Sequence, residues 1–168
     1  MSVDVGWVAA LAEREAPRLL SYFERRVGVR EDAADLLGET LLVLWRRSSD
    51  IPASDIEAAM WLFGVARRVL AGHRRGGKRR LALAERLRNE LAVTSDMTDE
   101  VADRVREAVR ALPERDRELV GLVHWEGFAL AEAAAILGIR PGTARMRYQR
   151  ARARLATELE ISRVTARR

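Results

Sequence analysis

The sequence predicts an all-α protein: two small helical domains joined by a flexible linker, the second containing a helix-turn-helix. Three observations carry that prediction. Apolar residues recur at three- and four-residue spacing, and no stretch alternates as a strand would. Ala, Leu, Arg and Glu, all good helix formers, dominate the chain. One segment breaks the pattern: "NELAVTSDMTDEVAD" gathers Asp96, Asp99, Glu100 and Asp103 without a clear apolar stripe. The expected spans are 1–85 and 104–168 for the domains and 86–103 for the linker.

In the first domain, "VGWVAALAEREAPRLLSYFERRVG" reads as one helix or two, with a break or bend at Pro17. "REDAADLLGETLLVLWRRS" is a second amphipathic helix with Asp32 near its start. Ala34, Leu37, Leu41 and Leu44 make its expected core stripe; Asp35, Gly38, Glu39, Leu42 and Arg46 lie opposite. An exposed Leu among carboxylates suits a basic protein partner better than DNA, the alternative being an ordinary solvated face. The loop "SDIPASDIE" carries Pro52, and Ser54 or Asp55 can cap the next helix. That third helix, "EAAMWLFGVARRVLAGHRR", is expected to end in the Gly-rich run "GGKRR". Ala58, Leu62, Val65, Ala66, Val69 and His73 line one face, His73 being read as a packed, hydrogen-bonded residue. Met60, Gly64, Arg67, Arg68, Ala71 and Arg75 make a basic face opposite. Trp61 reads as core, or as a surface on which a base stacks.

In the second domain, helices ending at Pro113 and near Gly127 precede "ALAEAAAILG" and "PGTARMRYQRARARLATELE". A helix from Ala131 to Leu137, a Gly turn and another helix form a helix-turn-helix pattern. Gly138 sits where a positive φ is convenient, Ala134 where the helices cross, and Ile139 where it plugs the core. Thr143 caps or starts the last helix. At about 100° per residue, Ala144, Tyr148, Ala151 and Leu155 share its buried side. Met146, Gln149, Arg150 and Ala153 lie opposite, flanked by Arg145 and Arg152 on one edge and Arg147 and Arg154 on the other. A DNA-reading helix needs this layout, with base-contacting side chains at the centre and cations at the rims. Gln149 suits adenine, Arg150 guanine and Met146 a thymine methyl. An Arg-coated solvated helix is the plain alternative, but few carboxylates stand at i±4 to pair with these cations.

Charge supports an anionic partner. Lys+Arg number 30 against 25 Asp+Glu, and Lys78 is the only Lys, so the surplus is carried by guanidinium forks that match phosphates and guanine edges. There is no Cys, which removes disulfides and thiolate sites and fits a cytoplasmic location. The N-terminus does not read as a signal peptide, and no apolar run is long enough for a membrane span. A metal-dependent nuclease needs carboxylates or His clustered at the basic faces. His73 and His124, the only His residues, stand far apart in sequence, so neither an enzyme nor a bound metal or cofactor is expected.

Taken in order, "DAADLLGETLLVLWRR", "WLFGVARRVLAGHRR", the acidic segment and "ALPERDRELVGLVHWEGFALAEAAAILGIRPGTARMRYQRARARL" resemble a bacterial RNA polymerase sigma factor of the extracytoplasmic-function group, in the sigma-70 family. The resemblance spans about residues 8 to 160. It implies a region 2 domain that docks on core polymerase and opens the −10 element, and a region 4 domain that reads the −35 element. The docking helix matches at Asp32, Asp35, Gly38, Glu39 and Leu42, toward the clamp helices of the largest subunit. The −10 contacts match Ile51, Ser54, Asp55, Trp61, Arg67, Arg68, Arg74 and Arg75. The −35 contacts match Thr143, Arg145, Met146, Arg147, Gln149, Arg150 and Arg152. Implied partners are promoter DNA, the clamp helices, the flap of the second-largest subunit and an anti-sigma factor. A stand-alone helix-turn-helix regulator is the competing reading. The chain departs from the family pattern at Gly38, where Gln is common, at Arg68, where Asn is common, and at Met146, where a small hydroxyl residue is usual.

Overall fold

The computed structural model describes residues 5–84 and 100–165. Among them are seven α-helices and one 3₁₀ turn, with no strand. The chain divides into two units, Met1–Ala92 and Val93–Arg168.

The first unit holds α1 (Val5–Glu24), α2 (Arg30–Arg46), the 3₁₀ turn (Ser48–Asp50) and α3 (Asp55–Ala84). Its core is aromatic at the centre. Tyr22 meets Phe23 and Phe63 edge-on, with ring centroids 5.3 and 5.6 Å apart, the arrangement the ring quadrupoles favour. Leu11 and Leu19 of α1, Leu36 and Leu44 of α2, and Leu62, Ala66 and Leu70 of α3 close around them. One carboxylate lies inside: Glu15 is 3% exposed. It accepts from Arg18 Nη1 at 2.6 Å and from Arg14 Nε at 3.1 Å. Two guanidinium partners answer the cost of burying its charge.

One open alternative is decided here and three sequence expectations are corrected. α1 runs unbroken through Pro17, which lies on the exposed side, where water can reach the carbonyl that proline leaves without an amide partner. In α2 the buried stripe is Ala33, Leu36, Thr40 and Leu44, whereas Ala34 is exposed and Leu37 and Leu41 are half-buried. Leucines on both sides blur the apolar period, and Thr40 can be buried because its hydroxyl donates to the Leu36 carbonyl at 2.8 Å. α3 continues through "GGKRR" to Ala84: each Gly costs about 1 kcal/mol, which the surrounding helix formers outweigh. His73 is not packed. Its side chain is 38% exposed with Nε2 3.7 Å from Asp32 Oδ2, because the buried face of α3 ends at Leu70.

The second unit holds α4 (Glu100–Arg110), α5 (Glu114–His124), α6 (Leu130–Leu137) and α7 (Pro141–Thr165). α4 therefore starts inside the expected 86–103 linker, of which residues 86–99, with Asp96 and Asp99, lie outside the described residues. Leu112, Leu119, Val120, Leu122, Phe128, Ala133, Ala134 and Ile136 are buried. Both turns around α6 use a left-handed Gly, Gly127 at φ 75° and Gly138 at φ 65°. At the second turn, Gly138 N–H donates to the Ala135 carbonyl and Ile139 N–H to the Ala134 carbonyl, both at 3.0 Å. This paired pattern satisfies carbonyls that the end of α6 leaves open. At the other end of α6, the Ala129 N–H donates to Glu132 Oε2 at 2.8 Å. α7 opens at Pro141, so Thr143 lies within the first turn and neither caps nor starts it. Proline suits the opening position because its φ is already helical and no amide hydrogen is needed there.

Gly138→Ala should lower the stability of the second unit by about 1–2 kcal/mol, the cost of a Cβ at left-handed φ, measured by urea unfolding. Glu15→Ala should cost the first unit about 2 kcal/mol through loss of two charge-assisted bonds, read as faster amide exchange along α1.

Candidate nucleic-acid interface

α7 owes its orientation to small residues. Ala144 and Ala151 are fully buried, and Tyr148 and Leu155 pack with Ala151 against Leu112 and Val120. The turn of the helix then points the other residues outward. Met146 is 63% exposed, and Thr143, Arg145, Gln149, Arg150 and Arg152 are exposed while Arg147 is half-buried. Among the described residues, no ion pair engages Arg145, Arg147 or Arg150. Arg145 and Arg147 flank the exposed face on its two edges and Arg150 lies near its centre, a layout suited to phosphates and base edges.

Where the packed side of α7 meets solvent, half-buried Tyr148 makes a polar contact with exposed His124. Tyr148 OH and His124 Nε2 lie 2.7 Å apart. Their rings stack with centroids 5.8 Å apart at 16°. The Arg152 guanidinium carbon is 5.9 Å from the Tyr148 ring centroid.

The first unit presents two surfaces of opposite character. On α3, Arg67, Arg68, Arg74 and Arg75 are exposed, and Trp61 is half-buried, between the two roles its sequence context allows. The preceding loop is braced at both ends. Arg47 Nε and Nη2 donate to Asp50 Oδ2 at 2.8 and 2.6 Å, and Arg14 Nη2 donates to Asp55 Oδ1 at 3.3 Å. The hydrogen bond to Glu15 chiefly holds the Arg14 guanidinium above its ordinary pKa; burial opposes this and Asp55 adds to it. Ile51 is half-buried and Ser54 exposed between these braces, and the Ser54 carbonyl accepts the first α3 bond, from Ala58 N–H at 2.8 Å. Ser54 thus takes the capping position and Asp55 the first helical one.

On α2 the exposed side carries Asp35, Gly38, Glu39 and Leu42, with Asp32 half-buried beside His73. Leu42 is 54% exposed and Trp45, one turn further on, 43%. Two large apolar side chains on one turn next to carboxylates suit a protein partner better than DNA. Sequence reasoning found Leu42 but missed Trp45, which the i, i+3 spacing in "LLVLWRR" signals. It also missed Arg14 and the His124–Tyr148 contact; nothing local in the sequence links residues 14 and 55, or 124 and 148. Among the described residues no His, Asp and Glu cluster could hold a metal ion, and no helix is long and apolar enough to cross a membrane.

Comparison with known proteins agrees with this layout. Residues 11–80 match the model of Sigma-70 region 2 and residues 102–155 that of Sigma-70, region 4. The chain is 36% identical over 145 residues to the ECF RNA polymerase sigma factor SigF of Caulobacter vibrioides, covering 84% of this chain and 79% of that one. It is 34% identical over 140 residues to an RNA polymerase sigma-E factor of Streptomyces antibioticus, covering 81% and 75%. Among solved structures it resembles the sigma factor RpoE in complex with the anti-sigma factor NepR from Bartonella quintana. The TM-score is 0.68 at 26% identity, over 87% of this chain and 92% of that one. With two helical units, a helix-turn-helix and these matches in the same order, the chain belongs to the ECF group of RNA polymerase sigma factors.

Proposed function

We propose that this chain directs core RNA polymerase to specific promoters, reading the −35 element with α7 and opening the −10 region with the first unit. The observation that carries this reading is the pairing of two kinds of exposed face in one chain. There are basic faces on α3 and α7, and an acidic, apolar face on α2. A stand-alone regulator would use the α7 face but leave Leu42 and Trp45 without a partner.

In this reading α7 enters the major groove. Met146, Gln149 and Arg150 meet base edges, while Thr143, Arg145, Arg147 and Arg152 meet phosphates and set the register. On the first unit, Arg67, Arg68, Arg74 and Arg75 follow the backbone of the −10 strand. Trp61, Ile51 and Ser54 form the wall against which an unstacked base rests. Asp55, tied to Arg14, holds the loop in shape rather than touching the base. Unstacking costs a few kcal/mol, offset by contacts that form only when polymerase is present. Asp32, Asp35, Gly38, Glu39 and Leu42, joined by Trp45, face the clamp helices of the largest subunit, and the second unit meets the flap of the second-largest. The chemistry of RNA synthesis stays with the polymerase, so the chain needs no catalytic group or cofactor. It works in the cytoplasm, and an anti-sigma factor, as found with the Bartonella relative, covers the same surfaces when the factor is held inactive.

Run-off transcription with purified core polymerase on a promoter library tests the reading. Transcripts that appear only with this chain, and disappear with Glu39→Lys, support it. Tight duplex binding by the chain alone, with no transcripts, would favour the stand-alone regulator. Arg150→Ala should weaken −35 binding by about 1–3 kcal/mol and relax the preference at one base pair. Arg145→Ala should instead weaken all sequences alike and reduce the slope of log K against log salt by about one, measured by fluorescence anisotropy of the holoenzyme on labelled duplex.

A further inference from the structure

The contact that seats α7 is mainly apolar: Ala144 and Ala151 are fully buried, and Tyr148 and Leu155 pack with Ala151 against Leu112 and Val120. Small methyl groups permit close approach. Dispersion has no direction of its own, so such a contact restrains rotation about the helix axis through its shape alone. A hydrogen bond has direction, and one lies at the exposed edge of this seat, between the OH of half-buried Tyr148 and Nε2 of exposed His124 at 2.7 Å. The near-parallel stacking at 16° also orients the Tyr148 ring.

His124 is the last residue of α5. The pair therefore joins the end of α5 to the middle of the reading helix and spans both glycine turns of the helix-turn-helix. Helical geometry places Met146 and Arg150 roughly 160° around the axis from Tyr148. Holding Tyr148 on one side thus aims these two on the other. A rotation of about 10° moves a guanidinium roughly 9 Å from the axis by about 1.5 Å, more than a two-point hydrogen bond to guanine tolerates. Arg152, one turn beyond Tyr148 with its guanidinium 5.9 Å from that ring, shares the anchor. A tyrosine hydroxyl both donates and accepts, so it pairs with either imidazole tautomer.

We propose that the His124–Tyr148 hydrogen bond is a positioning device for promoter discrimination, setting the rotation of α7 and hence the aim of Met146 and Arg150 at base edges. This rests on the reading of α7 as the −35 recognition helix. His124 and Tyr148 are positioning residues; they act through the side chains opposite them.

The test uses holoenzyme assembled from the full chain and core polymerase, presented with promoter duplexes randomised in the upstream element. Tyr148→Phe removes only the hydroxyl; His124→Phe keeps a stacking ring and removes the nitrogen. Each should reduce the preference for the best sequence over its single-base variants by about fivefold to tenfold, with affinity for unrelated duplex unchanged. The double variant should lose no more than either single one, and His124→Gln, whose amide can bond the tyrosine, should recover part of the preference. A lower melting temperature with full discrimination would reduce the pair to a stabilising contact and overturn the proposal, as would losses that add in the double variant. Arg150→Ala separates the two levels of the argument. If it relaxes discrimination and Tyr148→Phe does not, the positioning role alone fails. If Arg150→Ala also changes nothing, the assignment of α7 fails and the proposal with it.

Discussion

Ala144 and Ala151 keep no surface for water, and much of the second unit depends on that. Two small residues a little under two turns apart let α7 lie close to its neighbours. Larger side chains there would push the helix away and tilt its outer face. Because an α-helix turns by about 100° per residue, burying those alanines puts Met146, Gln149 and Arg150 on the outer side of the helix. The turn at Gly138 serves the same end: a left-handed residue ends α6 sharply, and Pro141 starts α7 two residues after Ile139. The exposed polar residues of α7 and its packing residues lie on opposite sides of one helix.

The first unit solves the same problem with larger parts. Tyr22, Phe23 and Phe63 fill its centre edge-on, and the Arg18–Glu15–Arg14–Asp55 chain of contacts runs from that core to the start of α3. This chain links the buried interior to the rim of the loop ahead of the basic helix. The loop is thereby braced by Arg14 at one end and by the Arg47–Asp50 pair at the other. Exposed ion pairs of this kind contribute little stability individually. Their value here is geometric: they hold both ends of the loop that leads into the basic helix.

A sigma factor of the ECF group must contact a protein and a nucleic acid at once, and this chain keeps the two chemistries apart. α2 offers carboxylates beside Leu42 and Trp45, whereas α3 and α7 offer guanidinium groups. Negative charge on α2 disfavours DNA there, and positive charge on the other two attracts it over a Debye length of about 8 Å at physiological salt. Asp32 and His73, 3.7 Å apart, stand where α2 meets α3, at the boundary between the surfaces.

The sequence by itself determined the all-α class, the helix-turn-helix and the amphipathic division of α7, because these depend on local period and on one glycine of positive φ. The buried side of α7 was legible since Ala144, Tyr148, Ala151 and Leu155 recur at three- and four-residue spacing. Other features were decided only in three dimensions. Which stripe of α2 is buried could not be read from a helix with leucines on both sides, and Thr40 can enter the core because its hydroxyl donates a hydrogen bond to the Leu36 carbonyl. That α1 passes through Pro17 and α3 through two glycines depends on neighbouring helices and flanking helix formers outweighing a local penalty. The contacts between His124 and Tyr148, and between Arg14 and Asp55, join residues 24 and 41 positions apart. Periodicity reports only which side of its own helix a residue occupies; which residue it meets across a helix boundary is set by how the helices pack.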